Sequence, residues 1–68
     1  MENDNIITYF KRAQILLQDE DIAEALNEIT KCIGEFESKG ILEHEGLKLD
    51  DIIRLQKKME FLLEKIKT

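Results

Sequence analysis

From Asp21 to Phe36 the apolar residues return every three or four positions. Ile22, Ala25, Leu26, Ile29, Cys32, Ile33 and Phe36 form one stripe, with Glu24, Asn27, Glu28, Lys31 and Glu35 opposite. A period near 3.6 gathers those positions on one side of an α-helix, whereas a strand would scatter them over both faces. Two more stripes flank this one. Before it, Ile6, Tyr9, Phe10, Ala13, Leu16 and Leu17 predict a helix over 4–18, capped by Asn3 or Asp4. After it, Ile52, Leu55, Met59, Leu62 and Ile66, widened by Leu63, predict a helix over 50–67. Without a proline or any strand-like alternation, the chain reads as an all-α, three-helix domain.

The breaks between stripes fix the arrangement. Asp19-Glu20-Asp21 is too short for anything but a tight reversal, so the first two helices fold back as an αα-hairpin. Asp21 followed by Glu24 has the spacing of a capping box and opens the second helix, over 22–39. Gly40 is placed to end that helix in a left-handed turn, and Ile41 or Leu42 can then fold back on its last turn. Residues 40–49 read as a loop. The third stripe spans fewer heptads than a coiled coil needs, so packing on the hairpin is expected over zipping with a copy of itself.

At 68 residues the chain buries little of its surface, and chains of this size add disulfides, a metal or a partner. One cysteine makes no internal bridge, and one histidine cannot build a metal site. The expectation is therefore no metal and no cofactor, with a partner chain supplying the missing contacts. Cys32 reads as a small buried hydrophobe and His44 as a solvated loop residue. No serine, cysteine, histidine or carboxylate constellation, glycine-rich phosphate loop or paired ligand motif appears, so no enzymatic activity is expected. With no basic-then-apolar start and no apolar run of membrane length, the reading is cytoplasmic.

Charge is unevenly spread. Residues 1–47 hold eleven acids and four bases, and residues 48–68 hold six bases and four acids. The acidic bulk argues against nucleic acid, whose affinity comes from neutralised phosphates. At 100° per residue Phe61 points about 180° from Ile52, on the same outer side as Arg54, Lys57, Lys58 and Lys65. An aromatic among bases is a candidate anchor for a protein partner, so the candidate partner-binding residues are Phe61, Lys57 and Arg54, with Ile53 on the same helix and Ile15 on the outer side of the first.

The segment from Ile6 to Lys39 resembles one tetratricopeptide repeat. Tyr9, Ala13 and Leu16 stand at its first-helix aromatic, small and large positions. Asp21-Ile22-Ala23-Glu24-Ala25-Leu26 is similar to its second-helix opening, and Ile29 and Cys32 to the next large and small positions. Arg12, Glu20 and Glu37 depart from the pattern, standing where the family has leucine, the turn glycine and the closing proline. A lone repeat cannot bury both faces, which implies either the third helix or a repeat-containing partner as a cap. In length, helicity and charge the whole chain is similar to the small co-chaperones of bacterial type III secretion. That resemblance implies a larger tetratricopeptide-like chaperone or secretion subunit as partner. A self-associating regulatory or antitoxin-like protein, and hence a homo-oligomer, is the alternative.

Overall fold

The computed structural model describes residues 4–67, and three helices and a two-stranded hairpin follow one another along it. The helices are α1 (Asn5–Gln18), α2 (Ile22–Lys39) and α3 (Leu49–Lys67). The strands are β1 (Glu43–His44) and β2 (Leu47–Lys48), paired antiparallel with Glu43 opposite Lys48 and His44 opposite Leu47. The all-α three-helix architecture is as expected, with the helix boundaries within a residue of the periodicity. The small hairpin, placed where a plain loop was expected, is an addition.

Capping explains the boundaries. Asp4 Oδ1 accepts from the Ile7 N–H at 3.2 Å, and Asp21 Oδ1 from the Glu24 N–H at 3.3 Å. These are the donors that the first turn of a helix leaves without a partner. Asn3, the alternative cap for α1, lies outside the described residues. Only half of the expected capping box forms at α2. The Asp21 N–H is already given to the Leu16 carbonyl at 2.9 Å, while Glu20 N–H goes to Leu17 at 3.0 Å. That pair of bonds closes α1 as a Schellman motif.

The same motif closes α2, with Ile41 N–H on Phe36 and Gly40 N–H on Glu37, each at 3.2 Å. The left-handed residue is Gly40 at φ +65° in one motif but Glu20 at φ +61° in the other. Ile41 folds back on the core as expected, whereas Leu42 stays exposed.

α2 is the central element, and both α1 and α3 pack on it. Its Ala25, Ile29, Cys32, Ile33 and Phe36 join Ile6 and Ala13 of α1 and Ile52 and Met59 of α3 in one buried cluster. The Cys32 thiol is fully buried and donates to the Ile6 carbonyl at 3.4 Å, tying α2 to the first turn of α1. One polar member departs from the stripe reading. Glu28, expected on the solvent side, is only 7% exposed, because Arg12 at 3.6 Å and Lys31 at 3.2 Å cover its carboxylate.

The seam of α3 is buried only in part. α3 begins beside the end of α2, and by Gln56 it has reached Thr30, whose hydroxyl accepts from the Gln56 amide at 3.3 Å. The two helices are therefore antiparallel. Carried along helices of equal rise, that register sets Leu63 opposite Ala23 and Ile66 opposite Glu20, before α2 begins. Ile52 and Met59 are buried as expected, but Leu62 is 39% and Ile66 66% exposed. α2 runs out before the stripe of α3 does.

Candidate functional site

The last turns of α3 carry apolar residues that the fold leaves uncovered. Phe61 is 56% exposed beside exposed Leu62 and Ile66, and Leu63 is half-buried. At 100° per residue, Phe61 and Leu62 bound a sector of about 100° that contains Lys58 and Lys65, with Ile66 just beyond Leu62. Lys65 Nζ sits 4.8 Å from the Phe61 ring centroid, within the range of a cation–π contact. The surface is apolar at its two sides, Phe61 on one and Leu62 with Ile66 on the other, and basic between them.

The structure separates the five candidate residues. Phe61, Lys57 and Arg54 share the outer side of α3, all exposed, with Arg54 paired to Asp51 at 3.6 Å. Ile53 is half-buried and packs against the core, so it serves the fold on the edge of that surface. Ile15, 59% exposed, lines a different feature. This is an open cleft of about 450 Å³ between α1 and α2, formed with Arg12, Leu16, Glu24, Glu28 and Lys31. No α3 residue lines it, and the one buried carboxylate there is already held between two cations. Leu62 and Ile66 join the surface in place of Ile53 and Ile15. The signal that could have found them is geometric: the stripe of α3 continues for a full turn beyond the partner helix.

A second cluster lies at the other end of the fold, and it corrects the reading of His44. The two-residue turn Glu45-Gly46 has φ +48° and +87°, the paired positive values of a type I′ hairpin. The hairpin folds His44 over the start of α1. There its Nε2 lies 2.9 Å from each oxygen of the Asp4 carboxylate and 3.8 Å from Glu45 Oε2. The imidazole is half-buried instead of solvated. The His44 hydrogen bond, aided by the Ile7 N–H and opposed by partial desolvation, holds the Asp4 carboxyl below its ordinary range. Forty positions separate Asp4 from His44, so spacing along the chain could not reveal the pair.

Among the described residues no helix is long and apolar enough to cross a membrane. Compared with protein-family models, with curated proteins and with solved structures, the chain gives no match.

Proposed function

We propose that this chain is a non-enzymatic helical interaction module. Its C-terminal α3 surface takes an amphipathic helix of a larger helical protein, with an apolar seam flanked by carboxylates. The observation that carries this reading is the exposed apolar patch at the end of α3: Phe61 on its outer side, Leu62 at the edge of its seam and Ile66 past the start of α2. Exposed apolar groups gathered in one place, with lysines between them, match the anatomy of a protein interface with an aromatic anchor. The basic balance of residues 48–68 supplies the electrostatic half of the argument, because a like-charged partner would be repelled and an acidic one drawn in.

In this reading the larger partner completes a helical stack that one hairpin and one further helix leave open. A tetratricopeptide-like chaperone of type III secretion, the partner implied by the resemblance, is one protein of that description. The test uses two synthetic amphipathic helical peptides with the same leucine seam, one flanked by glutamates and the other by lysines. The full chain binds the glutamate peptide in a salt-sensitive manner, and Phe61→Asp abolishes binding while helicity by circular dichroism is unchanged. Equal binding of both peptides, binding of neither, or full binding by Phe61→Asp refutes the proposal. A chain that sediments as a dimer, with its interface lost in Phe61→Asp, replaces it by self-association.

A further inference from the structure

We propose that Asp4, His44 and Glu45 form a binding site for a divalent first-row transition ion, zinc above all, which clips the β-hairpin to the N-terminus of α1. The three side chains offer one imidazole nitrogen and two carboxylate oxygens, and the donor atoms all lie within 4.8 Å of one another. Four-coordinate zinc holds such ligands at about 2.0–2.1 Å, which places neighbouring ligand atoms about 3.3 Å apart. The present separations of 2.9 Å from His44 Nε2 to Asp4 Oδ2 and 3.8 Å from it to Glu45 Oε2 bracket that value. The donor atoms span up to 4.8 Å, so the exposed Glu45 side chain swings inward by up to about 1.5 Å to close the triangle. Solvent on the Glu45 side, where the side chain is 66% exposed, provides water for the fourth position.

The parts are already assigned to separate tasks. Asp4 Oδ1 is taken by the Ile7 N–H, which fixes the rotamer of the carboxylate and leaves Oδ2 as the ligand. His44 is pinned by its strand pairing with Leu47. In the bound state the imidazole is neutral, with its proton on Nδ1 and the Nε2 lone pair turned to the metal, so the ion takes the place of the Nε2 proton that now faces Asp4. Charge favours the ion as well. The two carboxylates outweigh the single imidazole whatever its protonation, and among the described residues no lysine or arginine pairs with either of them. A nitrogen with two oxygens suits zinc, cobalt or nickel, whereas magnesium and calcium prefer all-oxygen shells.

The inference is independent of the α3 surface, and its test reads metal alone. Metal-free full-length chain is titrated with zinc chloride by calorimetry and melted with and without zinc. One equivalent binds, the melting temperature rises, and magnesium does neither. Cobalt gives the intense visible absorption of a four-coordinate site. Glu45→Gln, which keeps the hairpin, and His44→Ala each weaken zinc by about tenfold or more. Absence of heat and of any melting shift at millimolar zinc overturns the site. Unchanged affinity in both variants overturns it equally, because the ion would then sit elsewhere.

Discussion

Glu20→Gly stabilises this protein, and the size of the gain can be worked from two turns. Glu20 and Gly40 occupy the same left-handed position of the same helix-closing motif, at φ +61° and +65°. A side chain with a Cβ pays about 1–2 kcal/mol in that conformation. Glycine relieves this penalty but loses about 0.5–1 kcal/mol more backbone entropy on folding. The net gain is about 0.5–1 kcal/mol, which for a chain of this size raises the melting temperature by about 2–8 °C. Glu20 is exposed, and among the described residues its carboxylate makes no hydrogen bond or ion pair that the substitution would remove. Gly40→Ala is the reciprocal experiment, and a Cβ there meets nothing within 4 Å, so its cost of about 1 kcal/mol is purely conformational. Urea and thermal unfolding followed by circular dichroism give both values. Glu20→Gln supplies the control for charge in the acidic run and changes stability by less than about 0.5 kcal/mol. If Glu20→Gly fails to stabilise, or Glu20→Gln stabilises as much, the backbone argument is wrong.

Along α3, Met59→Ala costs about 2–4 kcal/mol while Leu62→Ala costs under about 1, because the first opens a cavity in the core and the second trims an exposed side chain. Equal losses in urea titrations would show that α2 covers the whole seam. Burial, with the Glu35 and Asp4 carboxylates adding to it, pushes the Cys32 thiol from 9.0 up to about 11. The native state therefore keeps the thiol proton after the unfolded chain has lost it. The contribution is intact below about pH 9 and is lost as pH rises from there toward 11, at up to about 1.4 kcal/mol per unit. Unfolding free energies compared at pH 8.5 and 10.5 should fall more steeply for the native sequence than for Cys32→Ala, and parallel curves would contradict the burial argument.

What the chain discloses on reading is its local chemistry. Both aspartate caps, the Gly40 turn, the fold-back of Ile41 and the core stripe of α2 follow from side chains within five residues of one another, where periodicity and capping act. The readings that fell short depend on which element stops first or on distant chain segments meeting. Leu62 and Ile66 belong to a genuine seam, and only the register set by Gln56 and Thr30 shows that Leu62 faces the first turn of α2 and Ile66 the residues before it. Glu28 looks solvent-facing until Arg12 of the preceding helix is laid over it. Glu45-Gly46 makes a hairpin turn without the asparagine or aspartate that usually announces one, so residues 43–48 pass for plain loop and His44 for a bystander. The Phe61 side of α3 was legible because a single helix suffices to define it.

The overhang of α3 divides one helix between two selective pressures. Ile52 and Met59 answer to the interior, where a lost methylene is felt throughout a small domain. At Leu62 and Ile66, a substitution changes what the surface meets without touching what holds the molecule together. New docking preferences can therefore accumulate in the final two turns while the hairpin beneath stays as it is.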